Sequence, residues 1–194
     1  IAAGEEEACE KLMYALVLSG LAMQMTGNSR PASGAEHHLV HLWDMEVVNG
    51  HLDALHGEKV SAGTMLVLLE YKKIADAIRK GNCKVHTCTE EDRELLQSTF
   101  GKKGILGAIE KENTPELLDD VSTKELSDTL PGILKIIDAL PAVTDMQEMM
   151  NTAGCVSRVR DIGLPGEVIE ESLRLAPYTR RRLSLLRLRK MLTY

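Results

Sequence analysis

Five of the six histidines lie between residues 37 and 56, in the stretch GAEHHLVHLWDMEVVNGHLDALHGEKV. Imidazole is the commonest side-chain ligand of transition metals and the usual proton shuttle near neutral pH, so this clustering points to one of those two chemistries. His37 and His41 are four residues apart. On a helix they share one face, whereas the ring of His38 points about 100° away from His37. His56 opens the segment HGEKV, at the start of a further expected helix, where Gly57 is read as allowing close backbone approach. The residues alone leave two readings open: a metal centre built on these rings, or separate hydrogen-bonded imidazoles on polar helix faces.

Just ahead of the cluster, residues 27–34 read GNSRPASG. Arg30 and the backbone amides entering a helix near Gly34 make a candidate anion site for a phosphate, with Asn28, Ser29 and Ser33 as its other polar members. An ordinary helix connection braced by Pro31 is the alternative. Lys59 of HGEKV is a second candidate cation, or a solvated helix residue. Cys83, His86 and Cys88 are spaced too loosely for a zinc knuckle and lack a second ligand pair.

These residues need helices to hold them. Glu5, Glu6 and Glu7 complement the positive end of a helix dipole, and an apolar run continues to Met25 before Gly27, which predicts a first helix. Its uncharged stretch from Leu12 to Met25 reads as a buried core helix, too short for the roughly 20 residues that cross a bilayer. Ser33 is placed to cap a second helix from Ala35 to Val48, stopped at Asn49-Gly50. Apolar spacing predicts a long third helix over 58–80, ended by Gly81. Thr89 followed by acidic residues predicts the cap of a helix ending near Phe100, and Ile105 to Glu112 reads as a short one. Ser122 and Thr144 read as caps, Thr144 with Gln147 as a capping box, and Pro131, Pro141, Pro165 and Pro177 as breaks between later helices. From Arg174 to Lys190 basic residues alternate with leucines, which reads as the solvated face of an amphipathic helix. With no βαβ rhythm or repeat, residues 1–194 are expected to form one all-α multi-helix bundle of about eight helices.

Composition narrows the function. An apolar share of 44% and a charged share of 27% fit a globular chain, and only 3% aromatic residues favour an aliphatic helical core. A formal charge of -6 opposes a nucleic-acid partner, and nothing suggests a membrane one. Four cysteines without a CxxC pair or a leader read as reduced thiols in a cytoplasm. No GxGxxG dinucleotide fingerprint occurs. The chain opens on Ile1 and its first residues are already helical in character, which predicts further sequence upstream.

The run GLAMQMTGNSRPASGAEHHLVHLWDM, followed by ALHGEKVSAGTM, resembles the sn-glycerol-1-phosphate dehydrogenases, within the superfamily of iron-containing alcohol dehydrogenases, glycerol dehydrogenases and dehydroquinate synthases. The likeness is close over residues 20–65. It is weaker beyond, where IGLP at 162–165 and the arginine-rich end are also similar. It implies a helical C-terminal metal-binding domain whose Rossmann-like N-terminal half is absent. It implies that His37 and His56 bind the metal, that His41 is a neighbouring catalytic histidine, and that an upstream aspartate completes the ligands. The implied reaction interconverts dihydroxyacetone phosphate and sn-glycerol 1-phosphate with NAD or NADP, bound by the chain's own N-terminal domain. Zinc suits these ligand types, and iron or nickel also fits. A homo-oligomer is compatible, and the fragment alone is expected to be inactive. The family keeps SRPASG-like sequence at the loop, which supports a site role for it. Dehydroquinate synthases share HxxxH and HGE elements but read GHTFGHA where this chain has AEHHLVHLW, so they rank below. A non-catalytic helical interaction module is the third reading.

Overall fold

The structure, a computed structural model, describes residues 1–88 and 92–194. In chain order the main elements are helices α1 (Glu6–Thr26), α2 (Ala35–Asp44) and α3 (His56–Arg79), strand β1 (Lys84–Val85), helices α4 (Arg93–Phe100), α5 (Leu106–Glu112), α6 (Thr123–Asp138), α7 (Val143–Thr152), α8 (Ile169–Leu175) and α9 (Leu185–Leu188), and strand β2 (Leu192–Thr193). Short 3-10 turns link several of them. The two strands pair antiparallel, Lys84 with Thr193 and Val85 with Leu192, and form a small clasp on an otherwise all-α architecture. Thr89, read as a cap, lies outside the described residues.

α3 is the mast of the fold. α2, α6 and α7 pack against it, because its buried residues include Ala62, Met65, Leu66 and Val67 near one end and Ile74, Ala75 and Ala77 near the other. One core joins Leu39, Leu42 and Trp43 of α2 to Ala62 and Leu66 of α3, Phe100 of α4 and Leu173 and Leu175 of α8. A second gathers Ile74, Leu118, Leu126, Leu130, Met191 and Leu192. Polar ties lock these helices together. The buried indole of Trp43 donates to Ser172 Oγ at 3.0 Å, and Lys72 donates to the carbonyls of Ile137 at 2.9 Å and Leu140 at 3.1 Å, at the C-terminal end of α6.

Several sequence expectations are corrected. α1 forms where the acidic first turn and Gly27, at φ 66°, predict it, yet none of its residues is buried. Met13, Tyr14, Leu16, Val17 and Leu21 are exposed. An apolar run makes a helix but does not supply the surface that covers it. α2 ends at Asp44, not Val48, because Glu46 takes a left-handed φ of 52° that breaks the helical path. No side chain caps α2. The cap residue is Gly34, not Ser33, and its amide donates to Glu36 Oε1 at 2.7 Å. Ser122 does cap α6, accepting from the Glu125 amide, but α7 starts after Ala142, which leaves Thr144 inside the helix and no capping box. Pro131 sits within α6, where burial of Leu126, Leu130 and Ile137 outweighs the backbone hydrogen bond that proline forgoes. Gly57 faces open space; the glycine that permits close approach is Gly63, whose added Cβ would meet the Glu36 carbonyl at 3.2 Å.

The basic C-terminal stretch departs furthest from expectation. Beyond the end of α8 at Leu175 its only α-helix is the four-residue α9, and Arg187, Arg189 and Lys190 turn inward, while Arg180 stays exposed. Arg187 is 1% exposed. It donates to Glu116 at 2.7 Å, to Asn113 Oδ1 at 2.5 Å and to the Pro177 carbonyl at 2.5 Å. Arg189 donates to Glu70 at 2.6 Å and Glu170 at 2.5 Å. Lys190 lies 3.2 Å from Asp92. Each of these three cations meets a carboxylate, which is the condition for burying charge.

Candidate functional site

The site is built where the N-terminal turns of α2 and α3 meet. Gly63 in α3 lets the α2 backbone approach closely at Glu36. α3 begins at His56 itself, as the reading of the HGEKV segment expects and just ahead of the apolar run over 58–80, and Glu58 Oε2 accepts the Leu55 amide at 2.7 Å to hold that first turn. At the end of α2, Asp44 accepts from Lys59 at 2.6 Å, closing the two helix ends together.

This brings the rings of His37 and His56 close together. Their ring centroids are 5.6 Å apart and their planes are tilted by 53°. His56 is exposed and His37 half-buried. Nδ1 of His37 lies 2.8 Å from Glu36 Oε1. An ionised carboxylate only accepts, so Nδ1 carries the proton and Nε2 offers its lone pair. Burial opposes ionisation of Glu36, but hydrogen bonds from His37 and the Gly34 amide outweigh it and lower its pKa.

His41, half-buried one turn along α2, has its pKa lowered by burial and then by the positive charge of Arg180 and by His37. These effects favour its neutral form. His38 departs from this face, as its spacing predicts. It is 1% exposed, neither ring nitrogen has a hydrogen-bond partner, and burial followed by Arg182 and Arg187 pushes its pKa down to about 4. His51 pairs with Glu46 at 3.0 Å on the surface.

The loop residues have separate duties. Asn28 folds the loop on itself, donating to the Thr26 carbonyl at 2.8 Å and accepting from the Arg30 amide at 3.0 Å. Ser29 Oγ and the Ser33 carbonyl accept from Arg182 at 2.8 Å and 2.6 Å. Arg30 is exposed, and its guanidinium makes no ion pair among the described residues. Lys59 is committed to Asp44. Among the described residues, no three His, Cys, Asp or Glu side chains converge as a metal-holding group, and no disulfide joins the cysteines. Two imidazoles, one already oriented by a carboxylate, fit part of a divalent-metal shell.

Two participants escaped the sequence reading. Glu36 was legible as the residue before an expected ligand, since a ligating histidine usually donates its second nitrogen to a carboxylate. Arg180 gave no such signal, because a chain crossing from α8 back over α2 has no periodicity. It is fixed there by Thr179, whose hydroxyl donates to the His38 carbonyl at 3.2 Å.

The fold and the histidine pair define an all-helical domain that brings two imidazoles close together. Comparison with known proteins then names its relatives. The chain is 34% identical over 187 residues to a glycerol-1-phosphate dehydrogenase of Halalkalibacterium halodurans, covering 96% of this chain and 39% of that protein. It is 29% identical over 177 residues to the enzyme of the same name from Geobacillus stearothermophilus, covering 91% and 37%. The relative from Pyrococcus horikoshii is 41% identical over 80 residues, 39% of this chain and 22% of that protein. All three names carry NAD(P)+. The chain thus matches the C-terminal part of glycerol-1-phosphate dehydrogenases, and spans about two-fifths of the length of the first of these relatives. No family model matches the chain, and no solved structure does. No helix among the described residues is long and apolar enough to cross a membrane.

Proposed function

We propose that residues 1–194 form one helical domain, the metal-holding part of a dehydrogenase that interconverts dihydroxyacetone phosphate and sn-glycerol 1-phosphate with NAD or NADP. The observation that carries this reading is the His37–His56 pair, with ring centroids 5.6 Å apart, on a chain whose relatives bear that enzyme's name. His37 and His56 each contribute one nitrogen to a divalent cation, zinc by preference and iron or nickel by ligand type. A carboxylate from outside this chain completes the set. When bound, the cation supplies Lewis-acid polarisation of the substrate oxygen.

The chain's own residues do the rest. Glu36 fixes the tautomer and orientation of His37. His41, kept neutral beside the pair, accepts the hydroxyl proton of glycerol 1-phosphate as hydride leaves its carbon for the nicotinamide, and returns it in reduction. Arg30, on the loop that Asn28, Ser29 and Ser33 shape, supplies positive charge for the substrate phosphate. Lys59 contributes by holding α2 to α3. The nucleotide belongs to the portion of the relatives that this chain does not span, and the exposed apolar side of α1 suits packing against it. Four cysteines without a disulfide suit a cytoplasmic setting.

Replacing the matching portion of the Halalkalibacterium halodurans enzyme with this chain tests the reading. A chimera that oxidises NADH or NADPH on dihydroxyacetone phosphate supports it, with no turnover by residues 1–194 alone. A folded, metal-loaded chimera without activity, or turnover by the isolated chain, contradicts it.

A further inference from the structure

A polar cavity lies beside the start of α2, lined by His38 and not by His37. It encloses about 430 Å³. Arg30 and Ser33 come from the loop before α2, Arg181, Arg182 and Ser184 from the segment before α9, and His38 from α2 itself. Three guanidinium groups share this wall, and no Asp or Glu among the described residues lines it. Elsewhere in this fold the inward-facing cations of the same segment each meet a carboxylate. Like charges gathered without a counter-charge are costly, and the arrangement is relieved by an anion.

The remaining donor capacity agrees. Arg181 spends Nε and Nη2 on the Pro115 carbonyl, at 3.2 Å and 3.0 Å. Arg182 spends one hydrogen of each terminal nitrogen on Ser33 and Ser29. A guanidinium has five N–H groups, so both keep donors to spare. Those bonds also fix the two groups in place, which removes much of the ordering cost of binding. The second, independent observation is His38. It is 1% exposed and forms part of the cavity wall, and both its ring nitrogens lack a partner. A neutral imidazole carries one N–H, and an anion oxygen that reached it would remove the penalty of leaving that donor unpaired.

We infer that this cavity is a binding site for a phosphate-type dianion, held by Arg30, Arg181 and Arg182 over the ring of His38. The site stands on geometry and charge independent of the metal pair; only the suggestion that its phosphate is that of a polyol-phosphate substrate rests on the function proposed above. Inorganic phosphate and a substrate phosphate present the same oxygens, so their chemistry here is shared.

The test is calorimetric titration of residues 1–194, free of added metal, with inorganic phosphate and separately with sn-glycerol 1-phosphate. Saturable binding of one equivalent is expected, weakened roughly tenfold or more by Arg30→Ala and by Arg181→Ala, the loss typical of one charge-assisted hydrogen bond. Arg182→Ala is expected to weaken it too, but it also releases the loop, so Arg30→Ala, at an exposed position, decides the matter. Tighter binding of sn-glycerol 1-phosphate than of phosphate, lost in the same variants, supports the site and assigns it to the substrate. Equal binding of the two supports the site and assigns it to phosphate itself. Absence of saturable binding, or affinity unchanged in both Arg30→Ala and Arg181→Ala, overturns the inference. Neither result depends on hydride transfer, so failure of this site and failure of the dehydrogenase reading are separately visible.

Discussion

Glu36 and His37 are neighbours in sequence and partners in space: Glu36 Oε1 stands 2.8 Å from the ring Nδ1 of His37. The same oxygen accepts the Gly34 amide at 2.7 Å, so one carboxylate both holds the entry to α2 and aims a ring at His56. Local helix-start chemistry and site chemistry are the same contact.

Glu36→Ala therefore has an effect beyond stability. Loss of a partner that orients a metal-bound imidazole costs about 10- to 100-fold in metal affinity. A cobalt titration of the folded variant, followed by absorbance, measures it. Glu36→Gln, which retains an oxygen acceptor, recovers part of the loss; affinity unchanged in Glu36→Ala removes Glu36 from the site.

Gly63→Ala probes the approach of the two helices. Its Cβ would lie 3.2 Å from the Glu36 carbonyl oxygen, and backbone on both sides leaves little room to yield. Overpacking of this kind costs about 1–3 kcal/mol. Urea unfolding reads the loss, and an unchanged midpoint would mean that α2 and α3 separate freely.

Arg187 is the least replaceable of the C-terminal cations. Removing it by Arg187→Ala strands Glu116 and Asn113, which it binds at 2.7 Å and 2.5 Å. Breaking a buried charged pair costs about 3–5 kcal/mol. Thermal unfolding by circular dichroism is expected to show a large drop; an effect no greater than that of the exposed Arg160→Ala would contradict the buried-network account.

Acid sensitivity follows from Glu70, 2% exposed in α3. Burial alone would raise its pKa, but the hydroxyl of Tyr194 and the guanidinium of Arg189 overcome that and hold it below the ordinary 4.5. Because the folded pKa lies below the unfolded one, this stabilisation is complete above about pH 4.5 and is lost as pH falls through the folded value. Glu70→Gln is expected to be less stable at pH 7 and to lose less between pH 5 and pH 3, by roughly the share this one group contributes. Parallel stability curves for the two proteins would show that Glu70 carries none of the dependence.

Much of this was legible beforehand. The helix stops at Gly27 and Gly81, the cap at Ser122 and the shared face of His37 and His41 follow from local chemistry, and the structure keeps them. What escaped depended on partners distant in sequence. The exposure of α1 could not be read from its apolar run, since burial is a property of two surfaces. The inward turn of Arg187 and Arg189 depends on Glu116 and Glu70, 71 and 119 residues away, and no local pattern announces such pairs. The start of α3 at His56 was legible, but the 5.6 Å meeting of His37 with His56 also depends on the packing of α2 against α3, set by Gly63 and by the Lys59–Asp44 pair.

The proposed metal centre requires that His37 and His56 together hold a divalent cation. Cobalt binding to residues 1–194, compared among the unaltered chain, His37→Ala, His56→Ala and the surface control His51→Ala, tests it most directly. The unaltered chain and His51→Ala are expected to bind one ion with the same affinity, and His37→Ala and His56→Ala each to bind at least about tenfold more weakly, as removal of one of two imidazole ligands requires. Equal cobalt affinity in all four proteins would contradict the claim.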